Sequence, residues 1–316
     1  MKTLMMLVGP SYCGKSSFAE MVKRLAPERV EIFSSDAIRE EIYGDAGCQD
    51  NPAKVFEILH ERIIKCLKEK EDVVAIYDAT NLSAKRRRGF LNSIRTIACY
   101  RACIVFPMSL DELLARVPLR DRKVPEEVLI KQIKNFQCPQ KCEGWDDIVI
   151  ELQGEGYNDR ELMQKCVGFD QKSKHHTLDL YDHMKETANI VSSKNFIKFD
   201  VSRPEVVDDA YKILLAAYFH DIGKLITQEI DEDGEAHYRN HHNASTYMWL
   251  CMKGTKKLLE DKKFTQQDLL DVAFLIQNHM EFYFRDRTGL KRLQESTTPT
   301  LYESLKVLHA ADVMAH

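Results

Sequence analysis

A chain of 316 residues with 44% hydrophobic side chains is long enough to build two cored domains. Its formal net charge of −4 argues against an extended surface that coats nucleic acid, though not against an enzyme that grips only the end of a strand. No apolar run can span a membrane, the short apolar start is no secretion signal, and nine cysteines read as free thiols, so a cytoplasmic location is expected.

In chain order, strands are predicted over 3–8, 30–34, 72–78, 99–106 and 146–151, alternating with helices over 15–25, 53–69, 83–96, 109–115 and 125–136. That alternation predicts a mostly parallel sheet with helices on both faces. The polar, turn-rich stretch 154–174 reads as a linker. Beyond it the pattern turns to long helical periodicity, so the division expected is an α/β domain over 1–153 and an all-α domain over 175–316. The C-x-x-x-C pairs Cys99/Cys103 and Cys138/Cys142 are weaker as a zinc site than as separate thiols.

Residues Gly9 to Ser16 read Gly-Pro-Ser-Tyr-Cys-Gly-Lys-Ser, the complete G-x-x-x-x-G-K-[ST] phosphate-binding loop between a strand and a helix. Backbone N–H groups from Gly9, Ser11, Cys13, Gly14, Lys15, Ser16 and Ser17 are expected around the phosphates of ATP or another nucleoside triphosphate. Lys15 would reach the β- and γ-phosphates, and Ser16 would hold Mg²⁺.

The second strand runs into Asp36, at the strand edge where α/β folds bind ligand. Asp36 is placed either to take a proton from an attacking hydroxyl or to cap the following helix. Asp78, ending the third strand, is placed to order Mg²⁺ or to bind an acceptor. The run Lys85-Arg86-Arg87-Arg88 reads as a solvated helix face. Arg116, Arg120, Arg122 and Lys123 precede Val124-Pro125 and suit a lid over a transferring phosphate.

Together these elements resemble the polynucleotide 5′-kinase family over roughly residues 1–150, through the Gly9–Ser17 loop, Ser35-Asp36-Ala37-Ile38-Arg39, Asp78-Ala79-Thr80-Asn81 and the arginine-rich lid. The resemblance implies an α/β P-loop kinase with Asp36 as general base, Arg39 and Asp78 on the acceptor, and Arg120 as the lid arginine. The lid is one residue shorter than in that family, which leaves Arg116 and Arg122 as alternatives.

In the second half, His220-Asp221 closes an apolar run and can ligate a metal. With His183, His241-His242, His279 and Asp312, the order resembles the HD phosphohydrolase superfamily over roughly 175–316. The resemblance implies a first metal on His183, His220, Asp221 and Asp312, and a second on His241 and His279 with Asp221 bridging. His241 fits better than His242 by its spacing to Ala244-Ser245. Lys224 would neutralise the substrate phosphate. This ligand mix favours Mn²⁺, Ni²⁺, Co²⁺, Fe²⁺ or Zn²⁺ over Mg²⁺.

A kinase module followed by an HD-type module resembles bacterial RNA-repair proteins, although in those relatives the HD module can come first. The fusion implies an end-healing enzyme acting on RNA or DNA ends. It would be a 5′-OH kinase plus a 2′/3′-phosphatase or 2′,3′-cyclic phosphodiesterase, leaving ends for a separate ligase. A small-molecule kinase fused to a nucleotidase, and a nucleotide-sensing regulatory protein, are the other classes considered.

Overall fold

The computed structural model describes residues 1–119, 123–172, 177–193 and 209–315. The chain divides into two compact units, Met1–Gln132 with Pro139–Gln153, and Ile133–Cys138 with Gly154–His316.

In the first unit the elements run β1 (Lys2–Val8), α1 (Lys15–Leu25), β2 (Val30–Ser34), α2 (Ser35–Tyr43), α3 (Pro52–Glu69), β3 (Val73–Asp78), α4 (Ala84–Ser93), β4 (Tyr100–Val105), α5 (Leu110–Arg116), α6 (Glu126–Lys134) and β5 (Asp147–Ile150). The strands form one parallel sheet in the order β2-β3-β1-β4-β5. Leu4, Met6, Leu7 and Val8 of the central β1 are fully buried, as expected for a strand covered on both faces. The register pairs Leu7 and Ser34 each with Asp78, so the chain leaves β1, β2 and β3 at one level. The phosphate loop, Asp36 and Asp78 therefore share one sheet edge, at the point where connections pass to opposite sides of β1.

On α4 the reading of Lys85–Arg88 as a solvated face holds for the exposed Lys85, Arg86 and Arg88 and is corrected at Arg87. Arg87 lies in helical phase with Phe90, Leu91 and Ile94 and is 1% exposed. Its Nε and NH2 donate to Glu143 Oε2 at 2.8 Å and Oε1 at 2.7 Å, while NH1 donates to the carbonyls of Asn81 at 2.9 Å and Leu82 at 3.0 Å. Trp145 Nε1 adds a donor to Glu143 Oε2 at 3.2 Å. A buried bidentate pair of this kind ties α4 and the turn after β3 to the chain entering β5.

The second unit carries α7 (Asp159–Cys166), α8 (Leu180–Ser192), α9 (Asp209–Phe219), α10 (Lys224–Thr227), α11 (His241–Leu250), α12 (Lys253–Glu260), α13 (Gln266–Asn278), α14 (Glu281–Phe284), α15 (Arg287–Glu295) and α16 (Pro299–Met314). It departs from the all-α expectation by one short antiparallel ladder, β6 (Glu229–Ile230) with β7 (Ala236–His237). The stretch expected as a linker is structured in its described part. It contains α7, buries Leu162 and Cys166, and exchanges backbone hydrogen bonds between Tyr157 and the Cys251–Lys253 segment at 2.8 and 3.0 Å. The core brings α8, α9, α11, α13 and α16 together. Gly223 is required by close approach: a Cβ there would lie 2.4 Å from both the His241 carbonyl oxygen and the Ser245 nitrogen. All nine cysteines are free thiols.

Removing one partner of the Arg87–Glu143 pair leaves a buried charge unmatched. Arg87→Ala should therefore lower the unfolding free energy by about 3–5 kcal/mol, against about 0.5 kcal/mol for the exposed Arg88→Ala, in urea titrations of both variants.

Candidate functional site

Gly14 sits at the N-cap of α1 with φ 98°, and a Cβ there would strike Gln153 Oε1 at 2.7 Å. Only glycine fits both demands, and its conformation turns the loop into the helix start. Pairing braces the loop: Ser11 N donates to Gln132 Oε1 at 2.7 Å, Gln132 Nε2 donates to Ser11 Oγ at 3.1 Å, and Val124 N donates to the Tyr12 hydroxyl at 2.7 Å. Cys13 is buried behind it, and burial pushes its thiol pKa up. Ser16 and Ser17 are exposed at the helix start.

Lys15 is only 7% exposed, and its Nζ donates to the Pro10 carbonyl at 2.5 Å, folded across its own loop. Ser16 Oγ donates to Asp78 Oδ2 at 2.7 Å. Burial raises the Asp78 carboxyl pKa, opposed by the charge of Lys15 and the Ser16 hydrogen bond. Asp78 thus stands beside the serine that would hold Mg²⁺, so its geometry suits the metal's hydration more than the acceptor.

Asp36 lies in the first turn of α2, and the cap is not its own: the Ser34 side chain accepts from Ala37 N at 3.4 Å. Asp36 is exposed, while buried Arg39 NH1 donates to its Oδ1 at 2.8 Å. The buried Arg39 Nε has no hydrogen-bond partner. Arg116 NH1 donates to the Tyr12 carbonyl at 3.1 Å, against the loop. Arg120 and Arg122 lie outside the described residues.

In the second unit, His183 on α8, His220 and Asp221 after α9, His241 on α11, His279 after α13 and Asp312 on α16 are all buried and converge. His220, His241 and His279 each place Nδ1 against the carbonyl three residues earlier, Ala217 at 2.9 Å, Tyr238 at 2.8 Å and Ile276 at 2.7 Å. A carbonyl only accepts, so each Nδ1 donates to it and each ring turns its Nε2 inward.

Two groups result. Around the first, His183 Nε2 lies 3.3 Å from His220 Nε2, 3.2 Å from Asp312 Oδ1 and 3.5 Å from Asp221 Oδ2. Around the second, His241 Nε2 lies 3.2 Å from His279 Nε2 and 3.2 Å from Asp221 Oδ1. Burial would depress the His183 pKa, but the Asp221 and Asp312 carboxylates outweigh it and raise it to about 9. A proton thus fills the first gap. In the second, burial pushes the His241 pKa down, and the two Nε2 atoms face each other at 3.2 Å beside Asp221 Oδ1. That donor set fits a divalent cation in each group, with the Asp221 carboxylate shared.

His242 stands outside both groups, its pKa lowered to about 3 by burial. Lys224, expected at a substrate phosphate, is paired within the protein. It is 4% exposed, its Nζ donates to Gln171 Oε1 at 2.8 Å and meets Asp221 Oδ2 at 2.6 Å, and it lies 5.3 Å above the Tyr238 ring. Burial opposes ionisation of Asp221, but Lys224 and His220 hold its pKa well below the usual carboxylate range. No sequence signal pointed to Gln171 or Tyr238, which hold Lys224 from segments distant along the chain.

Residues 4–139 match the family model of the AAA domain. The first unit is accordingly a kinase-like P-loop α/β domain, of the kind that binds ATP with Mg²⁺. Solved structures of similar fold include a gluconokinase from Sinorhizobium meliloti 1021, at 18% identity over 47% of this chain and 81% of that one, TM-score 0.33. A fungal RNA kinase matches at 17% identity over 49% and 76%, TM-score 0.37. A chain of the Pnkp1/Rnl/Hen1 complex matches at 24% identity over 39% and 41%, TM-score 0.32.

Metal uptake at the first group must displace the His183 proton. Below pH 9 that ring is charged, so transition-metal affinity should climb with pH and level off above about 9. Calorimetry near neutral pH, in buffers of different ionisation enthalpy, should record about one proton released per chain. No proton release would show that His183 is not displaced by metal.

Proposed function

We propose that the chain heals nucleic-acid ends, most readily those of RNA, with a nucleoside-triphosphate-dependent 5′-OH kinase in the first unit and a metal-dependent phosphohydrolase in the second. The observation that carries the kinase half is Lys15 folded onto the Pro10 carbonyl beside the Ser16–Asp78 pair. A triphosphate's β- and γ-oxygens offer the lysine a stronger partner than a neutral carbonyl. Asp36, at the same sheet edge, accepts the proton of the acceptor hydroxyl as its oxygen attacks the γ-phosphorus and the nucleoside diphosphate leaves. Arg39 orients that carboxylate and belongs to acceptor binding, and Arg120, or Arg116 or Arg122 in its place, would stabilise charge on the transferring phosphoryl group.

The observation that carries the hydrolase half is the pair of inward Nε2 atoms of His241 and His279 beside Asp221. His183, His220, Asp221 and Asp312 would hold one metal, and His241, His279 and Asp221 a second, in the manner of the HD superfamily. When bound, such metals polarise a phosphoryl oxygen and acidify water. Lys224 keeps Asp221 ionised, and the Nδ1–carbonyl contacts hold each ring in its ligating tautomer. The substrate is the 2′-, 3′- or 2′,3′-cyclic phosphate at the opposite end of the strand, leaving termini that a ligase can join. A cytoplasmic setting and an RNA partner belong to this reading.

Incubation with an RNA bearing 5′-OH and 2′,3′-cyclic phosphate ends, ATP and Mg²⁺ or Mn²⁺ should change both ends. Lys15→Ala and Asp36→Ala should each cut 5′-phosphorylation by at least about 100-fold, and Lys15→Ala should weaken ATP binding more. Asp221→Ala should abolish end hydrolysis and lower the transition-metal content while sparing the kinase. A near-normal kinase rate in Asp36→Ala would remove it as the base, and kinase activity confined to free nucleosides or sugars would overturn the nucleic-acid reading.

A further inference from the structure

The metal-ligating cluster has an aromatic margin that ligation itself does not require. Two of its segments build it. The His279 segment continues into α14, which carries Phe282, Tyr283 and Phe284, and α16 carries His309 three residues before Asp312. The His309 ring stacks on Phe282 with centroids 5.0 Å apart and meets Tyr283 edge to face at 4.7 Å. The Tyr283 hydroxyl lies close enough to the Asp312 carboxylate to feel its charge. One phenol ring thus reaches from a carboxylate of the cluster to the surface, where Tyr283 is 45% exposed and Phe284 is 77% exposed.

We infer that Tyr283, Phe284 and His309 form a stacking ledge for the nucleoside whose phosphate is held at the cluster. This rests on the hydrolase reading above and adds the part of the substrate that the metals do not recognise. Large aromatics stay in contact with water at a cost that a structural role does not repay, whereas a base laid on them removes one of its own faces and theirs from water. The ligand class is set by continuity with a phosphoester site and by α15, which follows directly and exposes Arg287, Lys291 and Arg292 for further phosphates. An aliphatic phosphoester would reach the metals but leave the ledge bare.

The test compares adenosine 3′-monophosphate with β-glycerophosphate on the full chain, in a Lys15→Ala background that weakens nucleotide binding in the first unit. Tyr283→Phe keeps the ring and loses the hydroxyl, Tyr283→Leu loses the ring, and Phe284→Ala trims an exposed side chain without disturbing the core. In Tyr283→Leu and Phe284→Ala, the ratio of kcat/KM for the nucleotide to that for β-glycerophosphate should fall about tenfold, and much less in Tyr283→Phe. Titration of metal-free protein should show the nucleotide's Kd rising by a similar factor in the same two variants. An unchanged ratio and Kd, or no nucleotide binding by the parent protein, would overturn the ledge. Failure to hydrolyse either phosphoester with any divalent metal, alongside the expected rise in Kd, would keep the ledge and overturn the hydrolase reading.

Discussion

Buried carboxylates set the terms in both units, because a carboxylate removed from water persists as an anion only where cations or hydrogen-bond donors replace its hydration. Asp221 is the most demanding case. It is 3% exposed and stands between two histidine groups, with Lys224 against one oxygen and inward Nε2 atoms around both. Much of the second unit serves that arrangement. Gly223 lets α11 come close enough to deliver His241, Gln171 and Tyr238 hold Lys224, and α8 and α16 bring His183 and Asp312 to the far side.

Glu143 and Asp78 meet the same requirement in the first unit with different chemistry. Glu143 receives a guanidinium fork and an indole N–H, a closed structural pairing with no capacity left for a ligand. Asp78 receives only a hydroxyl hydrogen bond and the nearby charge of Lys15, and its pKa rises through burial. Charge satisfied within the protein holds the fold together. Charge satisfied only in part, as at Asp78, leaves affinity that a magnesium–triphosphate complex can use.

The phosphate loop follows this logic from the cationic side. Lys15 is nearly buried and turned onto a carbonyl of its own loop, while Gln132 and the backbone of Val124 brace the loop through Ser11 and Tyr12. Ligand exchange at Lys15 therefore needs little rearrangement of the loop backbone, which favours binding through preorganisation.

Much of this was legible in the chain. The Gly9–Ser16 spacing works by local geometry, since glycine torsions and a helix start make a phosphate cradle wherever a strand precedes them, and apolar runs of strand length implied the parallel sheet. The histidines and aspartates that converge in the second unit could be named in order because that order resembles a known family's. Tertiary structure alone decided what each charge meets. Arg87 sits in a run of four basic residues, and its burial follows from helical phase with Phe90 and Leu91 and from Glu143, 56 positions away. Lys224 meets Gln171, 53 positions earlier, and Asp221 and Tyr238, partners that its own neighbours in sequence do not indicate. His241 and His242 are adjacent in sequence, and the packing of α11 against α13 turns one inward and leaves the other outside the ligand groups. Local backbone preferences can be read from neighbouring residues. The partner of a buried charge is chosen by contacts between distant segments, which no spacing along the chain encodes.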